Sequence, residues 1–174
     1  MFPERFETSR LYLRPLALAD AGAIFITWAR DPEVSRFLTW KPHQSLADTE
    51  TYVRAFVNAD TFRTYVIIEK QTQALCGAFD LRRTGPTCYG FGYLLARPFW
   101  GRGLMPEALT HVTDWALRQD GIWRVGDVCD IDNIASARVM EKAGLLREGV
   151  LRRWGLHPNL GDEPRDCISY ARVR

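Results

Sequence analysis

Along residues 7–16 the chain reads E-T-S-R-L-Y-L-R-P-L, and Leu11 and Leu13, with Leu16 beyond them, alternate with polar neighbours. That period of two predicts a half-buried first strand, ended by Pro15. Asp20 then opens an apolar-periodic stretch carrying Ile24, Ile26 and Trp28, which must stop at Asp31-Pro32 because a residue before proline is pushed out of helical geometry. A first helix is predicted there. A loop with Trp40, Pro42 and His43 leads to Ser45, whose side chain can cap a second helix running from Leu46 to Asn58.

The middle of the chain changes period. Tyr65–Glu69, Cys76–Leu81 and Tyr89–Leu95 are short β-branched or aromatic runs separated by turn residues, most clearly Thr84-Gly85-Pro86, and they predict an antiparallel meander. Met105, Ala108, Leu109, Val112 and Trp115 then recur at helical spacing, giving a third helix to about Gln119 with Gly121 as its stop. Arg124–Cys129 reads as a strand and Asn133–Ala143 as a fourth helix closed by Gly144. Two last strands bracket the loop from Gly155 to Pro164. Consecutive strands in the middle and a strand between two helices later on predict an α+β class with a mixed sheet.

The chain has 174 residues, 47% hydrophobic and 25% charged, which fits one domain spanning residues 1–174. Its 23 basic and 21 acidic side chains are scattered, so the net charge of +2 gives no support to nucleic-acid binding. The start, Met1-Phe2-Pro3-Glu4-Arg5, has no basic region followed by an apolar stretch, and charges interrupt every apolar run. The expectation is a cytoplasmic protein with no membrane partner. Cys76, Cys88, Cys129 and Cys167 lie far apart without a C-x-x-C pair, which argues for free thiols and against a metal site or disulfide framework.

The chemistry concentrates between the meander and the third helix. After the strand ending near Ala96 comes Arg97-Pro98-Phe99-Trp100-Gly101-Arg102-Gly103-Leu104-Met105, and the helix starts at once. The first turn of a helix carries unpaired N–H groups and a partial positive charge, so a strand, a glycine turn and a helix make an anion-binding layout suited to a pyrophosphate. Gly101 and Gly103 clear side chains from those donors, and Arg102 adds positive charge. The alternative is an ordinary glycine-containing connection. No G-x-G-x-x-G with a later acidic residue and no Walker lysine is present, so a dinucleotide fold and a P-loop are disfavoured.

Gly92-Tyr93-Leu94-Leu95 followed by Trp100-Gly101-Arg102-Gly103-Leu104-Met105-Pro106-Glu107-Ala108-Leu109 resembles the acetyl-CoA motif of the GNAT superfamily. The run from Asp132 to Leu145, D-N-I-A-S-A-R-V-M-E-K-A-G-L, is similar to that family's second signature. The opening strand and the ending Arg165-Asp166-Cys167-Ile168-Ser169-Tyr170 look like the ribosomal-protein-alanine N-acetyltransferase branch, the RimJ and RimL type. The resemblance implies a GNAT fold with a mixed central sheet of about six to seven strands and about four helices. It implies acetyl transfer from acetyl-CoA to a primary amine, with a protein or peptide N-terminus as the first candidate, and a possible homodimer through the first-helix region.

The resemblance also implies roles. Tyr93, Leu94, Leu95 and Ala96 lie along the cofactor arm through their backbone. Gly101, Arg102, Gly103, Leu104 and Met105 hold its phosphates, and Asn133, Ser136 and Lys142 complete the cofactor-binding set. Asn133 is equally a candidate helix cap. The reaction needs a neutral amine, a stabilised oxyanion and a proton for the leaving thiolate. Where many relatives carry a proton-donating tyrosine on the fourth helix this chain has Met140; the resemblance to the ribosomal-protein-alanine branch, with its serine near the thioester sulfur, implies Ser136 as the candidate acid. Where many carry a glutamate it has Gly90. Asp80 and His157 are therefore the candidate bases, and a partly neutral N-terminal amine with a water chain could do without either. Glu107 reads as a structural hydrogen-bonding or capping residue. Trp40 and Trp154 could wall an acceptor pocket, with Trp28 read as core. Two other readings stay open: acetylation of a polyamine, amino acid or aminoglycoside, for which Glu33, Asp48 and Glu50 could supply acidity, and a non-catalytic acyl-CoA sensor.

Overall fold

The computed structural model describes residues 2–57, 59 and 61–174. Its eight strands are β1 (Phe6–Glu7), β2 (Leu11–Pro15), β3 (Phe62–Glu69), β4 (Leu75–Gly85), β5 (Cys88–Leu95), β6 (Arg124–Asp130), β7 (Leu146–Gly155) and β8 (Arg165–Val173). They form one sheet in the order β1-β2-β3-β4-β5-β6-β8-β7. The count exceeds the expected six to seven because Phe6–Glu7 pairs separately with β2, a strand too short to show a period. All neighbours are antiparallel except β5 and β6, which run parallel and are joined by a helical crossover.

Five α-helices flank the sheet: α1 (Ala21–Ile24), α2 (Pro32–Ser35), α3 (Leu46–Val57), α4 (Leu104–Leu117) and α5 (Ile134–Lys142). The single first helix read from the sequence is instead a broken run: a tight turn at Leu18–Asp20, α1, a wide π turn at Phe25–Ala29, and α2. The Asp20 carboxylate closes the Leu18–Asp20 turn. It accepts from the backbone N–H of Ala17 at 2.8 Å and is forked by Arg14 at 2.6 and 2.8 Å. Asp31 supplies the cap for α2, accepting from Glu33 N–H at 3.0 Å with Pro32 at the first helical position. Ser45 caps α3 as expected, accepting from Asp48 N–H at 3.3 Å, while Asp48 accepts in return from Ser45 N–H at 2.9 Å. Asn58, the expected end of that helix, lies outside the described residues.

Strand alternation divides the core in two. Tyr65, Ile67, Phe79, Leu81 and Phe91 face α4 and α5, joining Leu104, Ala108, Leu109, Val112 and Met140. From the opposite face Val66, Ala78 and Leu94 meet Trp28 and Ala29 of the π turn and Val53 of α3. Trp28 is therefore core, 3% exposed. No helix among the described residues is long and apolar enough to cross a membrane.

The central hairpin is packed without slack. A Cβ at Gly77 would collide with the backbone carbonyl oxygen of Leu94 on β5. Gly77→Ala must push β4 from β5 and should cost about 1–3 kcal/mol, read as a lower thermal midpoint; an unchanged midpoint would contradict this packing.

Candidate functional site

Beyond Cys88↔Arg124 and Tyr89↔Val125, β5 and β6 part. Asp127 stands at the fork: its Oδ2 accepts from Phe91 N–H at 2.9 Å, where the next ladder bond would have formed. Past that point β5 has no neighbour on its β6 side, and a cleft of about 430 Å³ opens between the strands, α5 and the α2–α3 loop. Since Phe91 N–H points away from β4, alternation turns the N–H and C=O of Tyr93 and Leu95 toward the opening as well. Leu95 C=O is taken by Trp100 Nε1 at 2.6 Å. The backbone role expected for Leu94 and Ala96 needs correction. Alternation turns Leu94 toward its β4 partner Ala78, and Ala96 spends its N–H on Cys76 C=O at 2.9 Å and its C=O on Phe99 N–H at 3.0 Å.

The loop after β5 turns twice through left-handed backbone, at Gly101 (φ 72°) and Gly103 (φ 73°), before α4 begins at Leu104. The N–H groups of Gly101, Arg102, Gly103, Leu104 and Met105 find no protein acceptor among the described residues. Leu104 and Met105 send their side chains into the core and offer the loop only their N–H groups. Arg102 is not the mobile charge expected of it, because it pairs with the buried carboxylate of Glu69. The loop is braced from the β1–β2 turn: Arg10 Nη1 donates to Arg102 C=O at 2.9 Å and Arg10 Nη2 to Gly103 C=O at 3.2 Å. Glu107 holds that turn in place, accepting from Thr8 Oγ1 (2.5 Å), Ser9 Oγ (3.0 Å), Arg10 N–H (2.9 Å) and Arg10 Nε (2.6 Å).

On the far side of the cleft Asn133 caps α5, its Oδ1 accepting from Ser136 N–H at 3.1 Å. Ser136 Oγ lies 2.9 Å from Tyr93 Oη, and either hydroxyl can donate. Sequence reasoning gave Tyr93 a backbone role and missed this hydroxyl. The available signal was the alternation Phe91, Tyr93 against Phe79, which puts three rings on the face that meets α5. Burial pushes the Tyr93 phenol above its ordinary value, outweighing its bond to Ser136, so it stays protonated as a donor. Met140, at the position where relatives carry tyrosine, is buried beneath. Lys142 sits exposed on the last turn of α5, outside the residues that line the cleft.

The remaining wall brings Asp80 and His157 into the same cleft as Ser136. Asp80 Oδ1 accepts from Thr64 Oγ1 at 2.6 Å, while Oδ2 has no protein donor among the described residues and lies beside Gly92. Burial raises its pKa, opposed by the Thr64 bond and the charge of Arg82. Asp127, which the sequence did not single out, is ion-paired with Arg82, and burial raises it too, against that charge and the N–H bonds of Val128 and Phe91. A Cβ on Gly90 would stand 2.7 Å from Thr84 Cγ2 and 3.1 Å from Asp127 Oδ2, so the space a β5 side chain would occupy is held by a β4 methyl and a β6 carboxylate. His157 is not a solvated loop residue: it is 9% exposed, with Nε2 3.7 Å from Asp130 Oδ2 and Nδ1 buried without a partner. Trp40 and Trp154 also line the cleft, whereas Glu33, Asp48 and Glu50 are exposed and outside it. Asn159 crosses above, its Nδ2 donating to Ser35 C=O at 2.7 Å and Trp40 C=O at 2.8 Å.

A family model for the acetyltransferase (GNAT) domain matches residues 10–146. The chain is 29% identical over 179 residues to "Uncharacterized N-acetyltransferase YoaA" of Bacillus subtilis (strain 168), covering 100% of this chain and 98% of that one. A GNAT-family acetyltransferase from Bacillus anthracis aligns with a TM-score of 0.85 at 24% identity, over 97% of this chain and 98% of that one. RimL, a ribosomal L7/L12 alpha-N-protein acetyltransferase in complex with coenzyme A, aligns at 0.84 and 21% identity, over 98% of each. At those identities the two structures speak for the fold. Acetyl-CoA is the donor in this family, and the residues present suit it: a row of free N–H groups for a pyrophosphate and an open β5 edge for an amide-bearing arm.

The Glu107 hub makes a pH-dependent prediction. Burial would raise its pKa, but the bonds from Thr8, Arg10 and Ser9 outweigh it and lower the group from about 4.5 to about 2. Its contribution to folding is therefore complete above about pH 4.5 and lost as the pH falls toward 2. Glu107→Ala should cost about 2 kcal/mol at pH 7, seen in urea unfolding midpoints, and the gap from the parent should close on acidification through that window.

Proposed function

The chain belongs to the GNAT acetyltransferase family, and from that premise we propose that it acetylates the α-amine of a peptide or protein N-terminus. The observation that carries the reading is one cleft lined both by an unpaired carboxylate oxygen, on Asp80, and by a hydroxyl pair, on Ser136 and Tyr93. That RimL, named for α-N-protein acetylation, shares the fold is a second support.

Acetyl-CoA, when bound, supplies an electrophilic thioester carbonyl. Asp80 Oδ2 takes a proton from the incoming ammonium, and burial has already made that carboxylate a better base than one in water. As the C–N bond forms and the C–S bond breaks, Ser136 Oγ, held by Tyr93 Oη, delivers a proton to the departing sulfur, and the second proton of the attacking nitrogen, shed as it becomes an amide, restores the hydroxyl pair. Asp80 is preferred to His157 as the base because its free oxygen opens on the cleft, whereas His157 Nε2 faces Asp130.

The test is thiol release from acetyl-CoA against N-terminal peptides, polyamines, amino acids and aminoglycosides. Peptides should be the best acceptors. Ser136→Ala and Asp80→Asn should each lower kcat/KM by about a hundredfold while the dissociation constant for coenzyme A, measured by calorimetry, stays within about twofold of the parent. Faster turnover of polyamines than of peptides would overturn the acceptor assignment, and full activity in Asp80→Asn would remove the carboxylate from the proton path.

A further inference from the structure

Two features of the acceptor side have no part in that proton path. The first is aromatic. Trp40, Tyr52 and Phe56 form a connected wall, with ring centroids 5.8 Å apart for the first pair and 4.2 Å, stacked, for the second. Trp154, from β7, lines the same cleft and is 63% exposed. A wall of flat rings with an uncovered indole is suited to a flat apolar group, since aromatic pairs gain from stacking and edge contacts beyond the area they bury.

The second is polar. His157 Nδ1 is buried and unpartnered, although the residue lines the cleft. Nε2 lies 3.7 Å from the Asp130 carboxylate, itself forked by Arg165 at 2.6 and 3.2 Å, the side on which a ring proton is favoured. Nδ1 then presents a lone pair and lacks a donor. An ammonium supplies no second N–H at a fixed offset from itself, but a peptide does: the amide N–H that joins its first and second residues.

We infer that the acceptor is a peptide N-terminus whose first residue carries an aromatic side chain. Its ammonium lies at Asp80, its ring against the wall of Trp40, Tyr52 and Trp154, and its first amide N–H on His157 Nδ1. This deepens the N-terminal acetylation reading and rests on it. The three contacts have separable chemical signatures, so small acceptors can isolate each one.

The experiment measures thiol release from acetyl-CoA with phenylalaninamide, alaninamide, phenylalanine methyl ester and 2-phenylethylamine, comparing kcat/KM per concentration of neutral amine. Phenylalaninamide should exceed alaninamide by about tenfold or more, because the ring is lost. It should exceed the ester and phenylethylamine by a similar factor, because neither has the amide N–H that a buried acceptor needs. Trp40→Ala should shrink the first gap and His157→Ala the second. Alaninamide turning over as well as phenylalaninamide, or the ester as well as the amide, would overturn this inference and leave N-terminal acetylation standing. Absence of release both with these amines and with every peptide would overturn both.

Discussion

The short pairing of β5 with β6 is the constraint on which the molecule is arranged. Two parallel strands normally continue side by side once begun, because each further residue adds ladder bonds. Here they stop after two residue pairs, and Asp127 inserts its carboxylate where the ladder would go on. The parting leaves a strand edge inside the fold, with backbone groups turned toward a cleft. An edge left open in this way is costly unless something pairs with it, and in an acyltransferase the donor's amide-bearing arm is chemically equipped to do so.

The same divergence brings together residues that are far apart in sequence. Tyr93 on β5 and Ser136 on α5 meet across it, and Asp80, one strand further in, is reached because Gly92 carries no side chain in the way. The glycine loop at the end of β5 is rigid for a separate reason. Glu107 collects four donors from the β1–β2 turn, and Arg10 passes that restraint to the loop carbonyls. Donors aimed at an anion work best when they do not have to be reorganised on binding, and holding the carbonyls on one side leaves the N–H groups on the other.

Where the sequence was legible, the signal was local. The period of β2, the apolar stripe of α4, the cap at Asn133 and the glycine turn each depend on a few neighbouring residues, and each is found where the spacing puts it. The broken first helix was not legible, because Asp20 closes a separate tight turn through Ala17 and Arg14 before α1 begins. Arg102 looked free for phosphate because nothing nearby in sequence marks Glu69 as its partner. Asp127 and the Tyr93 hydroxyl were missed for the same reason: their roles arise from contacts 36 and 43 residues away, which no periodicity encodes. The sequence offers His157 as a candidate base in a loop, and loops are usually solvated; only packing against Cys167 and Asp130 shows it to be enclosed.

Asn159 ties the β7–β8 loop to the carbonyls of Ser35 and Trp40, across the mouth of the split. A side-chain amide is suited to this post because its two N–H bonds meet two carbonyls at once. It is also chemically perishable: slow hydrolysis to aspartate would exchange both donors for a carboxylate facing the same two oxygens, turning a latch into a repulsive wedge. The tie between this loop and the segment from Ser35 to Trp40 thereby rests on a single functional group that ageing of the polypeptide can erase.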